Sequence, residues 1–600
     1  MKKSFPWLFL ILSIIILTYI WDYISVPYNN SNTIIGQYYA KKINPLNDTL
    51  RGLLFIFIPI FLYSFTFLIL NKDKVTNRIF YNNINIKNKN IHYLSFILIL
   101  FSILEFLSLD YKNYLGAFDP HHEGTFLTAQ LNFFSKNKIW AGTSFDYGFL
   151  GNGIGIIYSY LFNEYSIGNQ RFLFKFLILL NKICLILISG KIVNSLSDTN
   201  KKEVLFLLLS LSVVSLASFY DHVVVFHGRM FLFLIFTLLI FKVVTNSKSL
   251  ITSIIIGNFS LLSILFYWDI GTYINFLLIL FLIYLFFMKK IHDLLIISIS
   301  IILSWSIFCV FLPNEELKEF FNQYNFIINV SDYLLGLEYP TPFSDKSTRH
   351  TKALLLIIAS GIFLVNYIFN TSNKENLNSK FILLFIFISS VVFFKSGLMR
   401  SDVPHIKYSS GLYTLLFTFF ISYYLLKKIN DYKIIQDILC YFEKKIPVML
   451  LTILISFLFF FQNNFSNLLN TFDSGKNFIM LTNVDDKNFL DKDYSKFIKV
   501  YKDLTNEETC VQHFTDDNAI PYLVNKPTCT KYYANAHIIK NWTENDFIKE
   551  LKITSPNYIV YASQINWFKS RKNAPNADKF ILDNYSLFKD LSPWIIYKKN

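Results

Sequence analysis

The chain has 600 residues; 53% are hydrophobic, only 16% are charged, and the formal net charge is +15. Soluble domains carry about 25% charged residues, so this composition excludes an ordinary soluble protein. The Lys excess accompanies abundant Asn, Ile, Phe and Tyr, with no basic helix or zinc-finger pattern, and so does not point to nucleic acid.

From the N-terminus, MKKSFPWLFLILSIIILTYIWDY begins like a signal peptide. Its apolar run is too long for an ordinary signal core, and no small-x-small cleavage site follows. It reads as the first membrane span. Apolar runs long enough to cross a bilayer, about 17 residues or more, place spans at 6–24, 51–70, 91–109, 171–194, 203–220, 229–245, 250–268, 271–288, 292–312, 352–369, 380–396, 408–426 and 447–463. The stretch 147–162, YGFLGNGIGIIYSYLF, is short and Gly-rich, and is predicted to be an interfacial or re-entrant helix.

Orientation follows from the short basic loops. Lys2 and Lys3, the loop 71–90, Lys191 with Lys201 and Lys202, Lys242 with Lys248, Lys289 with Lys290, Lys374 with Lys380, and the Lys-rich flanks of 429–443 all fall on one side of thirteen spans. That side is expected to be cytoplasmic. The other, exoplasmic side then receives 25–50, 110–170, Asp221–His227, Trp268–Asp269, 313–351, Arg400–His405 and everything after 463. The expected architecture is an all-α polytopic membrane domain over 1–463 and an exoplasmic α/β domain over 464–600. In the latter, ENDFIKELKI predicts a helix, and TCVQHF, NYIVYA and WIIYK predict strands. Cys510 and Cys529 lie there, on the oxidising side, where a disulfide is expected.

The stretch DYKNYLGAFDPHHEG, 110–124, holds Asp119, His121, His122 and Glu123 within five positions beside the bilayer. Such groups next to a membrane point to function. A carboxylate there can take a proton from an attacking hydroxyl. Asp119, His122 and Glu123 could also ligate a divalent cation such as Mg or Mn. A second group is Lys395-Ser-Gly-Leu-Met-Arg400-Ser401-Asp402-Val-Pro404-His405. Arg400 suits a lipid-linked phosphate through paired hydrogen bonds, Asp402 could orient it, and His405 could bind phosphate or sugar hydroxyls. A third is Tyr220-Asp221-His222…His227-Gly228-Arg229, which could extend the phosphate site. Trp268-Asp269 is an aromatic–acid pair suited to sugar. In 313–351, Tyr339-Pro340-Thr341-Pro342 predicts extended chain in a structural lid. Lys182, near the middle of the fourth span, predicts a cavity or a partner.

After the acidic loop come an amphipathic helix, Asp146-Tyr147-Gly148, the interfacial helix, Gly168 and Arg171. This order resembles the GT-C superfamily of integral-membrane glycosyltransferases, the bacterial protein-mannosyltransferase and aminoarabinose-transferase type in particular. The resemblance covers 110–195 and the span count; the acidic loop follows the third span here, which implies two additional N-terminal helices. It implies an inverting transfer from a polyprenyl-phosphate sugar donor to an exoplasmic glycan, lipid or protein. It also implies Asp119 as base or metal-facing carboxylate and Glu123 as the second acidic candidate. His121, His122, Arg229, Arg400, Asp402 and His405 are expected on the substrate phosphate. No GxxxxGK[ST], GxSxG or HExxH motif is present. The competing readings are a transporter of a lipid-linked glycan, which Lys182 favours, and a non-catalytic membrane scaffold.

Overall fold

A computed structural model describes residues 4–27, 34–38, 44–70, 89–116, 118–152, 154–162, 165–196, 202–218, 229–245, 249–370, 377–429, 448–461, 478–563 and 570–600. Each predicted span is a helix: α1 (Phe5–Tyr19), α2 (Pro45–Leu70), α3 (Lys89–Ser108), then, after the first long loop, α7 (Ile167–Ser195), α8 (Lys202–Ser218), α9 (Arg229–Thr245), α10 (Leu250–Phe266), α11 (Trp268–Phe287), α12 (Ile291–Phe311), α14 (Thr348–Asn370), α15 (Leu377–Met399), α17 (Gly411–Ile429) and α18 (Val448–Phe461). Seven helices among the described residues are long and apolar enough to cross a membrane, and several shorter apolar ones accompany them. The protein is a polytopic helical membrane protein with a small C-terminal sheet. Many apolar side chains of α1, α2, α11 and α12 face outward, the reverse of a water-soluble bundle and the arrangement lipid requires.

The first long loop folds into α4 (His122–Lys136), α5 (Phe149–Asn152) and α6 (Ile154–Phe162). The stretch 147–162 is thus short helix, not span. Two expectations are corrected. Trp268 and Asp269 do not form a linker between helices; they begin α11, because the Trp268 backbone N–H donates to the Tyr147 carbonyl at 2.7 Å and the chain turns at Tyr267. Residues 313–351 are not simply an extended lid. Asn314–Leu335 is a 22-residue helix, α13, closed by Gly336 in the left-handed region at φ 63°. Tyr339–Pro342 is non-helical.

Helix α13 braces the first loop. The Glu316 carboxylate accepts three backbone N–H bonds, from Ile139, Trp140 and Ala141, at 3.2, 2.6 and 3.1 Å. Gln323 donates to the carbonyls of Trp140 and Thr143 and accepts from the Phe145 N–H. A buried apolar cluster of Trp140, Phe145, Trp268, Phe320, Phe326 and Tyr533 fills the space between them. The chain entering Asp146 is therefore held on every side.

From Phe478 onward the chain forms a layer of helices on a four-stranded sheet, ordered β1-β2-β4-β3. The strands are β1 (Gln512–His513), β2 (Tyr558–Ala562), β3 (Tyr585–Leu591) and β4 (Trp594–Lys599), with β1 parallel to β2 and the other pairs antiparallel. Helix α19 (Lys492–Leu504) is capped by Asp491, which accepts from the Tyr494 N–H at 2.7 Å. It buries Tyr494, Phe497, Ile498 and Tyr501, and Trp594 stacks on Phe497 at 4.9 Å. Helix α21 (Glu544–Thr554) lies where a helix is predicted. Cys510 and Cys529 are joined in a disulfide.

This layer docks on α4. Thr128 donates to the Asn518 carbonyl at 2.6 Å, Asn132 exchanges bonds with Thr528 at 2.8 and 2.9 Å, and Lys136 donates to the Thr530 carbonyl at 2.8 Å. A glycine at 124 permits the approach: a Cβ there would stand 2.3 Å from the Ala519 nitrogen.

Candidate active site

The turn that opens α4 is built by Asp119. Its Oδ1 accepts from the backbone N–H groups of His121 and His122 at 3.1 and 3.0 Å, and its Oδ2 bonds His122 Nδ1 at 2.7 Å. Burial works to raise this carboxyl, but the hydrogen bond and charge of His122 outweigh it and hold the group at about 2. His121 is buried, with Nδ1 3.0 Å from the Asp516 carbonyl of the C-terminal layer. Burial, reinforced by neighbouring His122, pushes it down to about 4, so it is neutral at ordinary pH.

Glu123, expected beside Asp119 as a second acid, points elsewhere. It is 1% exposed, and Arg171 closes on both its oxygens. Its Oε2 also accepts the Asp119 N–H at 2.9 Å. The Glu123 carboxylate is thus engaged by Arg171 and by the Asp119 backbone. Among the described residues no three His, Cys, Asp or Glu side chains are grouped so as to hold a metal ion.

The chemistry gathers one step away. Asp146, Asp269 and Asp332 line one cavity of about 100 Å³ with Arg400 and His405, and with Tyr147, Trp268 and Tyr273. Each comes from a different element: Asp146 from the braced loop, Asp269 from the first turn of α11, Asp332 from α13, Arg400 from the end of α15. His405 lies on α16 (Val403–Ser409), whose N-terminus Asp402 caps by accepting the His405 N–H at 3.1 Å. The same carboxylate bonds His405 Nδ1, so Asp402 orients His405. Burial raises Asp402, but the bond and charge of His405, with Arg400, leave it lowered. Asp332 is the opposite case: burial dominates and raises it to about 6, against the pull of Lys395 and Arg400 and with the push of Asp269. Lys395 lies 5.8 Å from the Tyr273 ring centroid.

The C-terminal layer reaches the same place. His537 Nε2 is 2.9 Å from Asp146 Oδ1, and His537 Nδ1 is 3.0 Å from Ser144 Oγ.

Of the predicted site residues, then, Arg400 and His405 share a cavity and Asp402 holds one of them. Asp119, His121 and His122 form a neighbouring turn that does not line it. Asp221, His222 and His227 lie outside the described residues, as does the side chain of Arg229. The sequence alone marks Asp269, with Trp268, as part of an aromatic–acid pair suited to sugar, shows Asp146 without a role, and does not single out Asp332 or His537. Asp332 stands on an amphipathic helix in the stretch the sequence analysis takes as a loop; the periodic apolar positions of FFNQYNFIINVSDYLL are its available signal. His537 carries no local signal at all.

No protein-family model and no curated protein sequence matches the chain. Among solved structures it is similar to ArnT from Cupriavidus metallidurans bound to undecaprenyl phosphate. The identity is 11% and the TM-score 0.43, over 84% of this chain and 98% of that one.

Proposed function

We propose that the protein is a membrane glycosyltransferase that moves a sugar from a polyprenyl-phosphate donor to a hydroxyl-bearing acceptor on the exoplasmic side. The observation that carries the reading is the cavity itself: three carboxylates share one space with Arg400 and His405, where α11 begins and α15 ends. An acceptor hydroxyl attacks the anomeric carbon, the bond from that carbon to the phosphate oxygen breaks, and polyprenyl phosphate leaves. Arg400 and Lys395 supply positive charge where the departing phosphate gains negative charge. The hydroxyl proton goes to a carboxylate.

Asp332 is the carboxylate best matched to that task. A general base works best with a pKa near the operating pH, and Asp332 is raised to about 6, whereas Asp119 at about 2 is a weak base. Asp119 instead sets the turn that carries His121 against the C-terminal layer. Asp146 and Asp269, the neighbours of Asp332, are tested beside it. Lys182, the residue that favoured transport, is paired with Glu105 at 2.7 Å.

The test is a profile of lipid-linked sugars and surface glycans in cells carrying Asp332→Asn, Asp146→Asn, Asp269→Asn or Arg400→Ala. An unused lipid-linked sugar should accumulate on the exoplasmic face. Unchanged glycans at normal protein level would sink the enzyme reading, and a donor stranded on the cytoplasmic face would favour transport.

A further inference from the structure

A second cavity, of about 210 Å³, lies nearer the start of α13 than the site above. Phe326 lines this one and Ile327 lines the other, so adjacent residues of one helix face the two spaces. The wall opposite α13 is the C-terminal layer, with Trp542 and Asp546.

Its chemistry differs from that of the first cavity. Asn322 and Asn325 on α13 are exposed and present carboxamides that both donate and accept. The Asp546 carboxylate is 58% exposed. Phe326 and Trp542 stand 6.0 Å apart at 74° and give the space an aromatic corner. The cation present, Lys531, is held by Glu319 at 2.8 Å, so the lining offers an anionic phosphate little. Flat apolar surface beside carboxamides and a carboxylate is the combination that suits a pyranose, which has an apolar face and a rim of hydroxyls.

Side-chain contacts link the walls of the two spaces. Ser144 lines the second cavity and Asp146 the first, and His537 lies between them, 3.0 Å from one and 2.9 Å from the other.

We infer that the cavity between α13 and the C-terminal layer is a saccharide subsite for the acceptor, walled by Asn325, Phe326, Trp542 and Asp546 and coupled to the catalytic cavity through Ser144, His537 and Asp146. The word acceptor rests on the transferase reading; the binding of a neutral sugar does not. Full-length protein in lipid nanodiscs is titrated with maltotriose, cellotriose and chitotriose, following tryptophan fluorescence and heat. At least one trisaccharide should saturate the protein. Asn325→Ala and Trp542→Phe should each weaken it about tenfold, the loss of one good contact, while Arg400→Ala leaves it unchanged. Binding by none of the three, or equal binding by wild type and both cavity variants, overturns the subsite. If a sugar binds as expected but no variant of the first cavity affects surface glycans, the subsite stands and the transferase reading falls.

Discussion

Arg171 Nε and Nη2 lie 2.6 and 2.7 Å from the two carboxylate oxygens of Glu123, a paired contact across 48 positions of chain. Arg171 also donates to the carbonyls of Tyr114 and Gly116, so one guanidinium ties the loop before α4 to the start of α7. Removing one partner of such a pair leaves a buried charge uncompensated, at a cost of about 3–5 kcal/mol. Glu123→Gln is therefore expected to lower the melting temperature in detergent sharply. The double variant Glu123→Leu, Arg171→Leu should recover part of that loss. A Glu123→Gln protein as stable as wild type but inactive would restore Glu123 to the chemistry.

Asp332 binds its proton more tightly in the fold than at its ordinary value of 3.8, since burial raises it to about 6. Folding favours its protonated form. The stability it confers is complete below the unfolded value and is lost as pH rises through the folded one. Asp332→Asn, which mimics the protonated state, should thus gain on wild type in melting temperature as pH climbs from about 4 to about 7. Transfer by wild type should rise through about 6 if the ionised carboxylate is the base. A flat melting difference across that window would show that Asp332 titrates normally.

Gly124→Ala tests the docking of the C-terminal layer. The added methyl would meet backbone, with Ala519 Cα and the Asn518 carbonyl carbon both 2.7 Å away, and backbone cannot rotate aside as a side chain can. The layer is expected to lift from α4 while the membrane helices stay folded. Faster proteolytic release of the C-terminal part, with the membrane part intact, would show it; unchanged digestion would show that the interface yields.

The Cys510–Cys529 disulfide spans 19 positions, a loop for which the chain-entropy model gives about 3 kcal/mol. Cys529→Ser should loosen the edge carrying β1, where Cys529 N–H donates to the Val511 carbonyl. Hydrogen exchange at 510–530 measures this, and exchange as slow as in wild type would mean that packing alone holds the edge.

The helices at the predicted spans were legible because an apolar run of membrane length has no other economical reading. Helix α13 was less so, because its buried face carries the polar Glu316 and Gln323 among the apolar positions and it follows Pro313 in a stretch between spans. Misreading it hid Asp332 and the brace that positions Asp146. The sheet was half legible. β2 and β4 hold buried Ile559, Val560, Trp594 and Ile596, whereas most of β3 is exposed and lacks the alternation that marks a strand. At the site, residue types draw attention to 119–123 and 400–405, while the sequence does not show that Glu123 pairs with Arg171. Its partner Arg171 stood in view as part of a pattern, but nothing in the spacing says which of two neighbouring acids a distant guanidinium will take.

The contacts of the C-terminal layer with the first loop join early chain to late. His121 meets Asp516 across 395 positions, and Asp146 meets His537, which is synthesised far later. During synthesis the membrane helices are complete before the residues that pack against the first loop exist. A product broken off ahead of Asp516 would carry the membrane helices without the partners of His121 and Asp146, so the first loop takes its final form only after the last helices are already in place.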